Sequence, residues 1–346
     1  MKIRAKKYNQ NNIKFKSIKI ESNHFKKLSL NFTQKLTKKF LIIFLSLSFL
    51  ILTSIILTIY SLNKSQEFNI NFDYSNYNKN IITEEMIQKA SWNLTNEEAF
   101  IINGIIRKHK PKKCLEIGVG KGGTSLLILN AIKDIKNSLL VSIDLHHHVK
   151  EEPSKFVGYK VQKFFPDILN GNWKLFLGDM PFNFLRKLHF KFDFVIIDTS
   201  HTMPGEVLNI IEVLPFLEEN AIIIFPNLLS HMKNVYNNFN ITSNNNILES
   251  TPTSVLLMSS LVGKKKIIYN KNKIMGNIGI IFLEKNQEKY YQNYFLLLLC
   301  LWENMLTDEQ IFQMRLFIEK YYKNEECINI FENAILYNKE YHKNFK

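Results

Sequence analysis

The sequence predicts an α/β fold in which a doubly wound, mostly parallel sheet is covered by helices on both faces. Five short apolar runs between residues 113 and 225 alternate with stretches of helical periodicity, and this alternation is typical of a parallel sheet. Two more strand-like runs follow without a long helical segment between them, so we expect them to pair antiparallel. With 346 residues, 46% of them hydrophobic, the chain can bury a core of this size.

The predicted elements begin and end with helices. Thr95 and Glu98 have the spacing of a capping box, which predicts that the first helix begins at Thr95. Residues 290–302 have the length of a packed helix, and 308–342 have an amphipathic helical pattern. Between them, the predicted strands are 113–118, 139–145, 173–177, 192–197, 221–225, 254–262 and 277–283, and the predicted helices are 123–135, 160–169, 181–188 and 205–217.

The N-terminal region is predicted to be a membrane anchor preceded by a basic tail. Residues 1–39 hold 12 Lys or Arg against Glu21 alone, so they contribute +11 of the net charge of +14. Because the remainder is close to neutral, we expect no nucleic-acid partner. The 23 residues 40–62 carry no charged side chain, and a helix of that length spans a hydrocarbon core of about 30 Å.

The charges that flank this span predict its orientation. The positive-inside rule places the basic N-terminus in the cytosol and the folded domain on the other side of the membrane. The lysines of the tail would also bind anionic lipid, at about 1 kcal/mol for each one near the surface. The predicted organisation is a basic tail (1–39), a single transmembrane helix (40–62), a linker (63–90), a folded domain (91–286) and a C-terminal helical extension (287–346).

A glycine-rich turn follows the first predicted strand and opens the next helix. Glycines allow positive φ and a close approach of a ligand to the backbone, and the N–H groups that open the helix can bind it. Gly118, Gly120 and Gly123 fit the dinucleotide pattern G-x-G-x-x-G. A second pattern, an acid followed by alternate glycines, is matched by Glu116, Gly118, Gly120 and Gly122.

Residues at the ends of the next three strands help to choose between these two glycine patterns. Asp144 ends the second strand, where a carboxylate can bind ribose hydroxyls under either pattern. Asp179 follows the third strand, and Asp198 and His201 form an I-D-x-x-H sequence after the fourth. With this ordered set, residues 95–285 resemble the class I S-adenosylmethionine-dependent methyltransferases. The resemblance is greatest to the branch with the I-D-x-x-H sequence, related to the cephalosporin-modifying and catechol-type O-methyltransferases.

The resemblance implies a Rossmann-like, seven-stranded, mostly parallel sheet with a reversed last strand, and S-adenosylmethionine as the cofactor. Two of the implied cofactor residues have structural alternatives, since Glu116 could cap the neighbouring helix and Asp179 could be the N-cap of 181–188. The implied cofactor residues are Glu116, Gly118, Gly120 and Gly122 at the methionine and ribose end, Asp144 on the ribose and Asp179 on the adenine.

Asp198 and His201 are the predicted catalytic residues. They lie at the sheet edge where open α/β sheets bind ligands. Methyl transfer to a hydroxyl requires positioning and removal of a proton, and His201, with an unperturbed pKa of about 6.5, is a suitable base. The alternative is that His201 only orients the loop or hydrogen-bonds Asp198.

A divalent metal is the less favoured expectation. Catechol-type relatives bind one through an acid after strand four and an Asp-Asn pair after strand five. Asp198 matches the first position, but Pro226 precedes Asn227 at the second, and a proline side chain cannot bind a metal. A site with one carboxylate would be weak even if Asn227 or His231 contributed. The sequence therefore identifies no definite set of metal ligands.

Three further features are interpreted as structural. The histidines 146–148 are consecutive, so they cannot all face one ion, and we expect a solvated loop beside the cofactor. The three cysteines follow no metal pattern. The aromatic residues of the terminal helices are expected to be core or an oligomer interface: Tyr291, Phe295, Trp302, Phe312, Phe317 and Tyr321.

The leading hypothesis is a membrane-anchored, S-adenosylmethionine-dependent methyltransferase that acts on a hydroxyl of a small molecule, a sugar or a glycan. The alternatives are a non-catalytic, membrane-tethered binding or scaffold protein with this fold, and an NAD-dependent oxidoreductase. S-adenosylmethionine is made in the cytosol, whereas the flanking charges place the domain on the other side of the membrane. The side on which the domain lies therefore stays open.

Overall fold

The computed structural model describes part of the chain, and several predictions fall outside that part. The basic tail, the transmembrane helix and the linker lie outside the described residues, as do Thr95, Asn227 and His231. Within the described ranges, no helix has the length and the apolar composition that crossing a membrane requires. The described residues are 94, 96–164, 166, 171–199, 201–226, 228, 253–269 and 277–345.

Strands and helices alternate along the first part of the domain, as the apolar pattern predicts. The strands are β1 (Lys113–Ile117), β2 (Leu139–Asp144), β3 (His148–Val149), β4 (Glu152–Phe156), β5 (Trp173–Leu177), β6 (Phe192–Ile197), β7 (Leu217–Phe225), β8 (Gly263–Tyr269) and β9 (Asn277–Leu283). The helices are α1 (Asn96–His109), α2 (Gly123–Ile132), α3 (Tyr159–Phe164), α4 (Pro181–Leu185), α5 (Gly205–Val213), α6 (Thr253–Ser260), α7 (Tyr291–Leu296), α8 (Asp308–Tyr321) and α9 (Glu325–Phe345).

Seven of these strands form one sheet, in the order β5-β2-β1-β6-β7-β9-β8. The first five strands in this order run parallel, whereas β9 is antiparallel to both of its neighbours. The predicted doubly wound, mostly parallel sheet with a reversed last strand is therefore confirmed. The strand order changes direction between β1 and β6, and such a switch point forms a ligand-binding crevice at the carboxyl ends of the strands.

The sheet separates two apolar cores, because consecutive side chains of a strand point to opposite faces. In β1, Cys114 belongs to one core and Leu115 to the other. The core on the Cys114 side includes Leu126 of α2. The core on the Leu115 side includes Ile211 of α5 and Phe331 of α9. The C-terminal extension therefore packs on the same sheet as the preceding domain.

The segment 254–262 is mostly helix α6 rather than the predicted strand, and β8 begins only after it. A short continuous apolar run is compatible with a buried strand or a buried helix, so its periodicity does not decide between them. Leu257 is fully buried, and the Ser260 hydroxyl donates to the Leu257 carbonyl at 3.1 Å. The lysines 264–266 lie in β8 at the edge of the sheet, where lysines oppose pairing with another chain.

Most of the C-terminal aromatic residues belong to the core on the Leu115 side, as expected. Phe312 is the exception, because it is 57% exposed on α8. A core role is therefore wrong for Phe312. The other five predicted aromatic residues pack in or against this core: Tyr291, Phe295, Trp302, Phe317 and Tyr321.

Candidate functional site

The glycine turn after β1 lies against the end of β6 and opens towards a cavity. Gly118 has a φ of +87°, and a Cβ at this position would lie 2.0 Å from the carbonyl oxygen of Asp198. Only glycine permits that approach. Gly120 has a φ of +52°, and a Cβ there would meet no described atom within 4 Å. Since Gly120 lines the cavity, its backbone is accessible to a ligand.

Gly122 completes the turn at the start of α2. A Cβ on Gly122 would lie 2.9 Å from the Cα of Gly158. The N–H of Gly158 donates to the carbonyl of Gly120 at 2.9 Å. The segment that precedes α3 therefore supports the turn from behind.

Asp144, the predicted ribose ligand, lines the cavity at the end of β2 and also binds the glycine turn. Its Oδ2 accepts hydrogen bonds from the N–H groups of Val119 at 2.9 Å and Gly120 at 3.1 Å. Its Oδ1 accepts one from the N–H of His146 at 2.9 Å. The carboxylate thus fixes the turn and the start of the histidine loop.

Glu116 lies behind the turn and is fully buried. Its Oε2 accepts hydrogen bonds of 2.6 Å from the hydroxyls of Ser125 and Ser142, so it joins β1 to α2 and β2. Its Oε1 has no hydrogen-bond partner among the described residues. Burial raises the pKa of Glu116 to about 8, because a carboxylate without water is disfavoured. Glu116 is therefore placed to support the turn rather than to contact a ligand.

Asp179, the predicted adenine ligand, is turned towards the protein. Its Oδ1 accepts hydrogen bonds of 2.8 Å from the N–H of Met180 and from the side chain of Asn183. Met180 and Pro181 line the cavity, and Asp179 is not among the described lining residues. The N-cap of α4 is Met180, so the alternative role of Asp179 as N-cap is wrong.

Asp198 and His201 meet after β6, as the sequence predicts. His201 Nε2 lies 3.7 Å from Asp198 Oδ1, and His201 Nδ1 lies 3.2 Å from Glu206 Oε1. The Ser254 hydroxyl donates to both carboxylate oxygens of Glu206 at 2.8 Å. Among the described residues, Asp198 lines the cavity and His201 does not. His201 is therefore a partly buried link between Asp198 and Glu206.

The charges of this cluster shift two pKa values. Burial raises the pKa of Asp198 to about 6; His201 opposes the shift, while the carboxyl groups of Glu206 and Glu98 add to it. Burial alone would lower the pKa of His201, but the hydrogen bond to Glu206 and the charges of Glu206 and Asp198 outweigh it, so the pKa is raised. Near neutral pH, Asp198 is therefore mostly ionised, and the carboxyl groups of Glu206 and Asp198 favour the protonated form of His201.

The cavity has a volume of about 630 Å³, which lies within the range of small-molecule sites of about 300–1,000 Å³. One side is formed by the glycine turn, the end of β2 and the β3–β4 hairpin, including His146 and His148. Two of the three consecutive histidines thus border the cavity, and His148 begins strand β3. The other side is formed by Met180, α5 and the segment that contains Leu306 and Gln310.

The sequence predictions missed the contribution of α5. Leu208, Asn209 and Glu212 of this helix line the cavity, and Glu206 binds His201. A signal was available, because Glu206, Asn209 and Glu212 recur every third residue on an otherwise apolar helix. Leu306 had no such signal, since only the packing of the C-terminal helices brings it to the cavity.

Among the described residues, the donors near Asp198 do not make up a metal site, and the candidate ligands Asn227 and His231 lie outside that part of the chain. Both ring nitrogens of His201 face carboxyl groups, and Pro226 follows β7. No group of three His, Cys, Asp or Glu residues suited to a metal occurs within the part of the chain that the structure describes.

Comparison with known proteins identifies the segment that carries this site. Residues 115–228 match the family described as Methyltransferase domain. The match confirms the predicted resemblance to class I S-adenosylmethionine-dependent methyltransferases in this segment, and it does not test the I-D-x-x-H branch. No curated protein matches the chain.

Several solved structures are similar in part. The O-methyltransferase TomG from Streptomyces achromogenes, in complex with SAM, is 11% identical, with 62% of this chain and 99% of that chain covered and a TM-score of 0.43. SAH-bound methyltransferase PaMTH1 from Podospora anserina is 16% identical (59% and 89% covered, TM-score 0.42). The O-methyltransferase from Bacillus cereus in complex with SAH is 16% identical (57% and 89%, TM-score 0.40). Similarity at these identities and TM-scores does not indicate a function for this chain.

Proposed function

We propose that the domain transfers the methyl group of S-adenosylmethionine to a hydroxyl of a small molecule, a sugar or a glycan. The observation that carries this proposal is the exposed backbone at Gly120. Gly120 faces a cavity that Asp198 also lines, and both residues lie in the segment that matches a methyltransferase family.

The glycine turn suits the methionine and ribose end of the cofactor. The absence of a side chain at Gly120 lets a ligand lie against the backbone, while Gly118 allows the turn to lie close to Asp198. Asp144 supports the turn through the N–H groups of Val119 and Gly120. A carboxylate has about four acceptor positions, so Asp144 can also accept a hydrogen bond from a ribose hydroxyl. Glu116 acts from behind the turn as a positioning residue.

Asp198 is the proposed general base, and His201 is the proposed positioning residue. When bound, S-adenosylmethionine supplies an electrophilic methyl group on its sulfonium. The acceptor hydroxyl would lose its proton to Asp198 while its oxygen forms the bond to carbon, and the carbon–sulfur bond breaks. His201 supports this role because its charge lowers the pKa of Asp198 and keeps the carboxyl group ionised at neutral pH.

We also propose that residues 40–62 anchor the domain to a membrane, with the tail of residues 1–39 bound to anionic lipid. The uncharged run and the adjacent basic cluster support this proposal. Protease protection of the domain in sealed vesicles measures its side. Exposure on the cytosolic side would contradict the orientation expected from the flanking charges and would place the domain where the cofactor is made.

Calorimetric titration of the full chain with S-adenosylhomocysteine tests the cofactor proposal. We expect binding by the natural protein and none by Gly120→Val, because the new side chain would occupy the open space at the turn. Gly171→Val is the matched control, since Gly171 also has a positive φ and open space at its Cβ position but does not line the cavity. Absence of binding by the natural protein would sink the proposal.

Two further measurements separate the alternative functions. Transfer of labelled methyl from S-adenosylmethionine to hydroxyl compounds distinguishes an enzyme from a binding protein that retains the fold. Competition by NAD(H) for the same site would favour an oxidoreductase. We expect methyl transfer and no competition.

A further inference from the structure

Glu212 lines the cavity but has no part in the proposed proton transfer. Glu212 lies in the last turn of α5, lines the cavity and is 1% exposed. Its Oε2 accepts a hydrogen bond from the N–H of Phe182 at 3.1 Å. Its Oε1 has no hydrogen-bond partner among the described residues, and the residue lies at the wall of the cavity. A ligand can therefore reach this oxygen.

Glu212 lies beside the segment that follows β5, which also contains Asp179, the residue expected to bind adenine. Phe182, which binds Glu212, follows Met180 and Pro181 after β5, and these two residues line the same cavity. Asp179 was expected to bind the base from this segment. Its Oδ1 is already used by Met180 and Asn183, and the residue does not line the cavity. Glu212 is the carboxyl group that reaches the cavity beside this segment.

A protonated carboxyl group is complementary to the edge of adenine. The N6 amino group of adenine donates a hydrogen bond and N1 accepts one, whereas a carboxylic acid has one accepting and one donating oxygen. Burial raises the pKa of Glu212 to about 8, and the charge of Asp179 adds to this shift, although the Phe182 N–H opposes it. Because Oε2 accepts the Phe182 N–H, the proton belongs on Oε1, the oxygen without a protein partner.

We propose that Glu212 recognises the adenine ring of S-adenosylmethionine, with Oε1 donating to N1 and Oε2 accepting from the N6 amino group. This inference rests on the proposed methyltransferase function and assigns base recognition within the same site. It also predicts that the site selects adenosyl over inosyl compounds, because inosine carries a donor at N1 and an acceptor at position 6.

The first test measures the affinity of the full chain for S-adenosylhomocysteine between pH 6.5 and 9.5. The charged or titratable groups that face Glu212 are Asp179 and Tyr322, and the pKa of Tyr322 is raised well above 10. We expect constant affinity up to about pH 8 and then a fall that approaches tenfold per pH unit as Glu212 ionises. Glu212→Gln should bind without this fall, because its amide keeps one donor and one acceptor.

The second test compares S-adenosylhomocysteine with S-inosylhomocysteine. The natural protein should prefer the adenosyl compound by at least about tenfold, the scale expected when a buried polar group is left unpaired. Glu212→Ala should lose most of this preference. Glu218→Gln, at an exposed position of β7, should behave as the natural protein does. Thermal unfolding verifies that each variant is folded.

The outcomes distinguish a failure of the adenine assignment from a failure of the proposed methyltransferase function. The adenine assignment is overturned if the natural protein binds S-adenosylhomocysteine and Glu212→Ala binds it equally well with the same preference. A flat pH profile for the natural protein overturns it too. If the natural protein binds neither compound, the methyltransferase function itself fails, and this inference fails with it.

Discussion

At the residue scale, the site contains several carboxyl groups, and the burial and hydrogen bonds of each one determine its role. Asp144 is tied to backbone N–H groups of the turn, whereas Glu116 and Glu212 are buried and have pKa values raised to about 8. Asp198 has a pKa raised to about 6, a smaller shift than those of Glu116 and Glu212. A base should have a pKa near the working pH, so Asp198 is the member of this group suited to accept a proton.

Replacing Asp198 by asparagine should remove the base but leave the cofactor pocket in place. We expect methyl transfer to fall by about 10²–10⁴-fold, the usual contribution of a general base, while S-adenosylhomocysteine binds with unchanged affinity. Single-turnover methyl transfer and calorimetric titration measure the two quantities. Undiminished transfer would contradict the assigned role.

Replacing His201 by glutamine should shift the pH dependence of the reaction. Since the base must be ionised, kcat/KM should rise with pH through the pKa of Asp198, about 6, and then level off. The charge of His201 lowers that pKa, so its removal moves the rising limb to higher pH. A lower rate with the limb in its original place would show that His201 does not act through Asp198.

At the element scale, α5 joins the parts of the site. Its first turn carries Glu206, which holds His201, and its last turn carries Glu212, which binds the N–H of Phe182 at the start of α4. Ser254 of α6 donates to Glu206. The helix therefore couples the end of β6 to the segments after β5 and before β8.

A buried amide joins helix α9 to the segment at Trp302 within the C-terminal extension. Asn338 of α9 is fully buried and accepts a hydrogen bond of 2.7 Å from the N–H of Trp302. Asn338→Ala would leave that N–H without its partner, so we expect a loss of about 1–3 kcal/mol in the free energy of unfolding. Denaturant titration measures the loss. Asn344→Ala, at an exposed position of the same helix, should cost little, and equal losses would contradict the assignment.

At the scale of the whole molecule, buried carboxyl groups link stability to pH. The unfolded chain ionises Glu116 and Glu212 near their ordinary pKa of 4.5, whereas the folded protein keeps both protons until about pH 8. The folded state binds more protons in this range, so the free energy of unfolding should fall as pH rises from about 5 to 8.

Glu116→Gln tests this linkage, because glutamine has the same shape and does not ionise. The variant should lose less stability than the natural protein between pH 5 and 8, with a difference on the order of a few kcal/mol, since one pKa unit corresponds to about 1.4 kcal/mol. Chemical denaturation at several pH values measures it. Parallel stability curves for the two proteins would contradict the predicted burial of the proton.

Much of the sheet was predictable because its signal is local. Continuous apolar runs separated by amphipathic stretches identify buried parallel strands, and a turn rich in glycine identifies itself by composition. The run 254–262 was misassigned because a short apolar segment fits a buried helix equally well. The hairpin β3–β4 was missed because its exposed residues have no apolar alternation.

The doubly wound sheet, the glycine turn at Gly118 and Gly120, and the meeting of Asp198 with His201 were predictable from the sequence, because each depends on neighbours in the chain or on the common edge of parallel strands. The sequence did not predict that Asp179 binds Met180 and Asn183, that His201 lies behind Asp198 or that Glu212 lines the cavity. Side-chain direction and burial depend on packing between elements distant in sequence, and burial also sets which carboxyl groups keep their protons.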